Sequence, residues 1–394
     1  MNTEPNTYRI LAGIAADART AILNAAITVD NGKIQDVQPL GQGEKPLPGD
    51  IDCRDLTLVP GFIDIHIHGG AGHYVMDGDP EGLVVIAEHL AAHGVTGFLS
   101  TTVTGSWEQQ SQAINIAANV LGNTPRNSTW RGATVLGTHL EGPYINPAKK
   151  GAQPLEFVRE PSIKDLVDNT GNSLSTIKIV TLAPEMPGAI ELITFLDRQG
   201  IIASIGHTAA TYDQVRAAID AGARHVTHCY NAMRQLEGRE PGVVGAAMCC
   251  AELKAELIWD NIHVHPASCK ALIQAKSSAG VILISDGIPG AGMGEGFRFN
   301  LGAHPVLVEQ GAARLADGTL AGSLLTLDKA FANSAIFDIT DRATMTSYNA
   351  ACSLGIADRK GLLAPGYDAD FAILDSNGTV MRTIIDGVTI FHQD

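Results

Sequence analysis

The sequence predicts an α/β protein: a (β/α)8 TIM-like barrel with a small β-sandwich domain formed from both termini. Three observations predict it. Eight short apolar runs alternate with alanine-rich amphipathic stretches through the middle of the chain. Histidines and carboxylates fall at the ends of five of those runs. The two ends of the chain have a different texture, with alternating residues and hairpin signals. Strands that alternate with helices predict a parallel sheet, and eight such units predict a closed barrel with its active site at the C-terminal strand ends.

The runs are PGFIDIHIH (60–68), GVTGFLSTT (94–102), ATVLGTHL (133–140), TIKIVTLAP (176–184), IIASIGH (201–207), RHVTHC (224–229), AELIWD (255–260) and VILISD (281–286). Helical stretches lie between them at 80–93, 107–120, 188–199, 211–221 and 266–278. The segment 8–58 alternates and carries Asn31-Gly32, a hairpin dipeptide. The segment 366–391 alternates likewise, with turns at Asn377-Gly378 and Asp386-Gly387. We therefore assign 1–58 and 365–394 to the sandwich and 59–364 to the barrel. The stretch 287–330 opens glycine-rich (GIPGAGMGEG) and reads as a mobile loop at the barrel mouth. It lacks the spacing and the Lys-Ser/Thr of a phosphate-binding P-loop.

The composition limits the function classes. A chain of 394 residues that is 45% hydrophobic and 18% charged can bury a large core. Its net charge of −15 repels nucleic acid and anionic membrane. No run approaches the ~18 apolar residues of a membrane span. The start, MNTEPNTYRI, lacks the pattern of a signal peptide. The six cysteines (53, 229, 249, 250, 269 and 352) form no CxxC and no disulfide framework. A cytoplasmic protein is the expectation, and a small anionic substrate stays open because a few local cations can outweigh the global field inside a cleft.

The strand-end residues carry the chemistry. His66 and His68 are two apart in an apolar run, so a strand turns both imidazoles to one face. Glu141 follows the third run, His207 the fifth and His228 the sixth, and Asp286 ends the eighth. A barrel gathers those ends around one axis. Imidazole and carboxylate together suit a divalent transition metal, zinc first and iron second. His73, His89, His93, His225, His304 and His392 lack such placement and read as ordinary surface or core residues. His139 shares a strand face with Glu141 and reads as a group backing the site.

The motifs PGFIDIHIHGG and GYDADFAIL resemble the amidohydrolase superfamily. THLEGPY, GHTAAT, THCYNAM and GREPGVVGAA narrow the resemblance to the N-acetylglucosamine-6-phosphate deacetylase family and its relatives for the galactosamine epimer. It is clearest from about residue 58 to 372. The resemblance implies that Glu141, His207 and His228 are the principal metal ligands. It implies that His66 and His68 hold a second ion where one is present, so one or two ions bind per subunit. Asp286 matches the catalytic acid/base. Asn231 and Ala232 match sugar-contacting positions, and Arg239 and His263 match groups that bind the sugar or its phosphate. Ala152, Gln153, Asp260, Asn261, Ile262, Leu320, Ala321 and Gly322 fall in matching substrate-binding segments. The family's arginine reaches in from a neighbouring subunit, which implies a homodimer. The implied reaction is attack of metal-bound hydroxide on an N-acetyl carbonyl, with Asp286 passing the proton to the departing amine.

The chain departs from the family pattern at three places. Gln153 stands where the family often has His. Asn261 replaces a small Gly, and SDG replaces TDA at the eighth run. His265 reads as a solvated bystander rather than a phosphate contact. The alternatives are the galactosamine epimer, or a cyclic-amide hydrolase or deaminase on the same scaffold. Against the cyclic-amide hydrolases, the fourth run ends TLAPE without the lysine they usually carboxylate. A binding protein without chemistry would have no use for the full set of acids and imidazoles.

Overall fold

The structure is a computed structural model that describes residues 7–302 and 304–393. Eight parallel strands follow one another around a barrel in chain order: Phe62–Ile67, Val95–Thr102, Thr134–Glu141, Ile177–Leu182, Ile202–Ile205, His225–Val226, Lys254–Leu257 and Val281–Leu283. All residues of the first two are buried, as expected for strands covered by helices outside and filled by side chains inside. The seam between the eighth strand and the first closes just beyond the last ladder. There the Asp286 amide donates to the His66 carbonyl over 2.9 Å. The amides of His68 and Gly69 donate to Gly287 O over 2.8 and 2.9 Å.

Helices follow the strands, and their starts are written in the sequence. Asp79 caps Pro80–Ala92, with proline at the position where a missing N–H costs nothing. Ser106 with Gln109, and Thr211 with Gln214, form capping boxes at Trp107–Asn119 and Tyr212–Ala221. Pro80–Ala92 buries Leu83, Ile86, Ala87 and Leu90, the spacing of one helical face laid against the barrel. Further helices span Ile163–Thr170, Ala189–Arg198, Gly242–Cys249, Pro266–Lys276 and Leu327–Asn333.

Both termini build one seven-stranded sheet beside the barrel. Thr7–Ala16, Ala21–Asp30, Lys33–Pro39 and Ile51–Pro60 join Phe371–Leu374, Val380–Ile385 and Val388–His392. The sheet is antiparallel except where Thr7–Ala16 runs parallel to Ile51–Pro60. Its ends approach each other at Ala369, whose amide donates to Gly32 O (2.8 Å) and whose carbonyl accepts from Gly387 N (2.9 Å). The sheet encloses its own core of Ile10, Ile27, Ile34, Leu58, Phe371 and Ile373.

The segment 287–330 differs from its expected form. Gly287–Ala291 is buried, and Ala71 and Gly72 donate to Ala291 O and Pro289 O, each over 2.8 Å. A three-stranded antiparallel sheet follows, made of Arg298–Leu301, His304–Glu309 and Ala312–Leu315. The glycines hide this, because the apolar positions that pin the segment (Ile288, Val306, Ala313 and Ala321) are scattered through it.

Candidate metal centre and active-site cleft

The six strand-end residues converge at the C-terminal mouth of the barrel. Their atoms form two triads, with ligand atoms in each lying within 4.8 Å of one another. Glu141, His207 and His228 make the first. Glu141 Oε1 lies 3.1 Å from His207 Nε2 and 3.0 Å from His228 Nε2, and the two ring nitrogens are 3.1 Å apart. His66, His68 and Asp286 make the second. The His66 and His68 Nε2 atoms are 3.1 Å apart, and Asp286 Oδ1 lies 3.1 Å from His68 Nε2. Glu141 stands between the triads, 3.5 Å from both His66 Nε2 and His68 Nε2. His207, His228 and Asp286 all adopt positive φ (46°, 28° and 49°), a left-handed backbone that non-glycine residues rarely accept outside functional sites.

Three of the four imidazoles are aimed from behind. His207 Nδ1 lies 2.8 Å from Lys149 O, and His68 Nδ1 lies 3.2 Å from Thr101 O. His66 Nδ1 lies 2.9 Å from Glu256 Oε2. In each case the other nitrogen, Nε2, faces the centre. The electrostatics show a surplus of negative potential. Burial pulls the His66 imidazole down, yet Glu141, Glu256 and Asp286 outweigh it and raise it to about 10. Burial pushes Glu141 up, but His207 and His66 hold it well below the ordinary carboxylate range. Burial likewise opposes ionisation of Asp286, and His68, His66 and His228 prevail and lower it. A cage that favours positive charge this strongly fits a cation held by nitrogen and oxygen donors.

Four neighbours lie outside the strand-end pattern. Glu256 and Asp64 are wholly buried inside the seventh and first strands. Their one signal is a lone acid inside an apolar run. Asp64 Oδ1 accepts from the His66 amide over 3.2 Å, and burial raises its carboxyl to about 6. Thr104 donates its amide to Gln153 Oε1 over 3.0 Å, and its hydroxyl bonds the same atom. Tyr74 lines the cleft with a buried hydroxyl. His139 backs the centre as the strand pattern implies. It is buried, 4.6 Å ring to ring from His66, with Nδ1 3.0 Å from Ile65 O and Nε2 2.8 Å from Thr181 Oγ1.

A cleft of about 670 Å³ opens over the metal centre. Ala152, Gln153, Asn231, Ala232, His263, Leu320 and Gly322 line it. Gln153 Nε2 donates to Glu141 Oε2 over 2.8 Å and lies 3.3 Å from His207 Nε2. Asp260 lies off the cleft wall and braces His263, with Oδ2 2.6 Å from its Nδ1. Ile262 and Asn261 are also off the wall and exposed, and Ala321 is fully buried against the small sheet. Arg239 is exposed and does not line the cleft of its own chain. His265 caps Pro266–Lys276, its Nδ1 accepting from Ala267 N over 3.1 Å.

The Amidohydrolase family model matches residues 57–390. The N-acetylglucosamine-6-phosphate deacetylase of Bacillus subtilis (strain 168) is 40% identical over 374 residues, covering 94% of this chain and 93% of that protein. The chain belongs to the amidohydrolase family, in its N-acetylglucosamine-6-phosphate deacetylase branch. Within that family, the N-acetylgalactosamine-6-phosphate deacetylase of Escherichia coli O157:H7 is 40% identical over 348 residues, covering 87% of this chain and 90% of that protein. The crystal structure of the N-acetylglucosamine-6-phosphate deacetylase from Thermotoga maritima superposes with a TM-score of 0.86 at 32% identity, covering 98% of this chain and 100% of that one. The N-acetyl-D-glucosamine-6-phosphate deacetylase from Mycobacterium smegmatis, a mutant in complex with N-acetyl-D-glucosamine-6-phosphate, superposes with a TM-score of 0.88 at 28% identity, with the same coverage.

Proposed function

We propose that the protein removes the acetyl group from N-acetylglucosamine 6-phosphate, yielding glucosamine 6-phosphate and acetate. The observation that carries this reading is the pair of ligand triads, with Asp286 at their edge, at the floor of a cleft lined by the positions that match the family's sugar contacts. Glu141, His207 and His228 would hold one divalent ion and His66 and His68 a second, with zinc as the first candidate and iron the second. Charge supports two. Asp64, Glu141, Glu256 and Asp286 are buried around the centre. Lys360, the buried Lys or Arg among the described residues, pairs elsewhere, with Asp368 and Asp370. Buried charge without compensation is costly, and two divalent cations balance four carboxylates.

A bound transition metal supplies Lewis acidity, which polarises a carbonyl and makes water acidic near neutral pH. The chain's own residues do the rest. Asp286 accepts the proton of the attacking water and returns it to the amide nitrogen as the C–N bond breaks. Gln153 presents Nε2 to the cleft with its oxygen tied to Thr104. His263 and Asn231 contact the sugar, with Asp260 holding the His263 ring. Asn261 and Ile262 shape that loop, and Ala321 seats the Leu320–Gly322 turn. Arg239, exposed and away from its own cleft, offers a bidentate fork for phosphate to the neighbouring site of a homodimer. The six free cysteines suit a reducing cytoplasm. The terminal sheet and the barrel form two domains, with residues 1–6, 303 and 394 of the assigned ranges outside the described residues.

The test measures metal per chain in purified protein beside acetate release from both 6-phosphate epimers. About two ions and a preference for the gluco sugar are expected. No bound metal, and no acetate released after metal addition, would sink the reading. The second reading, the galacto epimer, is favoured by the E. coli relative, and a large preference for that sugar would establish it.

A further inference from the structure

Four imidazoles face the metal centre, and they are not backed alike at Nδ1. His68 and His207 meet neutral backbone carbonyls, those of Thr101 and Lys149. His228 Nδ1 meets no partner among the described residues. His66 alone of the four meets a carboxylate, Glu256, at 2.9 Å. Glu256 comes from the seventh strand, which contributes no ligand to either triad. It is wholly buried, and the same Oε2 accepts from the His228 backbone amide at 3.4 Å. Its other oxygen has no hydrogen bond, and His225 Nδ1 is 3.9 Å away. A buried carboxylate with one oxygen unbonded costs several kcal/mol unless a positive charge faces it.

On the two-ion reading of the centre, we infer that Glu256 is a positioning residue that sets the second ion's affinity through His66. An ionised carboxylate can only accept, so it fixes the proton on His66 Nδ1 and leaves the Nε2 lone pair for the ion. It also makes the imidazole a stronger donor than a carbonyl backing does. Each triad contains a single carboxylate, and Glu141 stands between the two. No carboxylate stands behind the rings of His68, His207 or His228, so through ring contacts the added negative charge acts on the second triad alone. Glu256 also spans the two triads, through the ring of His66 and the main chain of His228.

Glu256→Gln and Glu256→Leu test this, with metal per chain measured after dialysis and each ion's affinity measured by chelator competition with zinc. Gln keeps the shape and can still accept from Nδ1, so it isolates the charge. We expect Glu256→Gln to weaken the second ion about 10- to 100-fold and leave the first unchanged. Glu256→Leu, with a native circular dichroism spectrum, should retain one ion. If Leu prevents folding, the Gln variant decides alone. Wild-type protein with two ions, and a Gln variant that holds both as tightly, overturns the role of Glu256. Wild-type protein that takes up one ion overturns the two-ion reading itself, whatever the variants do.

Discussion

The side-chain amide of Gln153 donates to Oε2 of Glu141 over 2.8 Å while Thr104 holds its oxygen from behind. The amide thus has one orientation, with its donor end at the metal centre. Gln153→Ala removes a hydrogen bond to a charged group, worth about 1.5–3 kcal/mol. We expect kcat/KM to fall about 10- to 100-fold. Metal content should not change. Steady-state kinetics with metal analysis checks both, and unchanged kcat/KM would remove Gln153 from the reaction.

Asp286→Asn should lower kcat by about a hundredfold to ten-thousandfold, the usual contribution of a positioned acid/base. The ion proposed for Glu141, His207 and His228 should remain, because Asp286 is not in that triad. An active Asp286→Asn enzyme would mean that another group carries the proton.

Arg239 gives a test of subunit exchange. On the proposed homodimer, the Arg239→Ala and Asp286→Asn proteins should each be weak or inactive. Mixed under conditions that exchange subunits, they should regain activity, since one hybrid site pairs an intact Asp286 with its partner's arginine. No recovery, with exchange proven by native mass spectrometry, would place Arg239 outside the neighbouring site.

Stability should fall in mild acid, and His89 is one cause. Burial, then the neighbouring His93, lower its imidazole from 6.5 to about 4. Between those values the unfolded chain binds a proton that the folded chain refuses. Folding stability from this residue is therefore intact above about 6.5 and is lost as pH falls towards 4. His89→Gln should flatten the decline of Tm over that window. An unaltered slope would show that other groups set the acid limit.

Lys360 is buried, 3.0 Å from Asp368 and in direct contact with Asp370. Asp370 in turn accepts from Asp386 N over 2.8 Å, and its carbonyl accepts from Gly61 N. The lysine thus ties the barrel to the terminal sheet. Lys360→Met leaves the buried Asp370 carboxylate without its cation, while half-buried Asp368 keeps Lys33 and Arg359, and should cost about 3–5 kcal/mol in urea unfolding. The double variant Lys360→Met/Asp370→Leu should cost less than the sum of the two single changes.

The sequence was most informative where a periodic rule met chemistry. His66 and His68 share a strand face by a spacing of two, and Glu141, His207, His228 and Asp286 each end a run. The barrel makes those positions neighbours. Glu256 and Asp64 obey no end rule, because they lie within their strands; Glu256 gains meaning from the His66 ring on another strand, and Asp64 from the His66 amide on its own. Thr104 is equally hidden, since its partner lies 49 residues away. The stretch after Asp286 misleads for the opposite reason: its glycines suggest freedom, while bonds to Ala71 and Gly72 fix it. Sequence alone also gives no reason for Asn261 and Ala321 to fall off the cleft wall.

The bond from the Asp286 amide to the His66 carbonyl joins the last barrel strand to the first. The two residues so linked are the proposed proton carrier and a proposed ligand. A barrel with seven strands in place and this stitch unmade would hold the Glu141 triad intact and still lack half its centre. Competence therefore arrives only with the final strand. On the proposed roles, a partly melted chain that has picked up one ion lacks its proton carrier, and turnover would gauge ring completion.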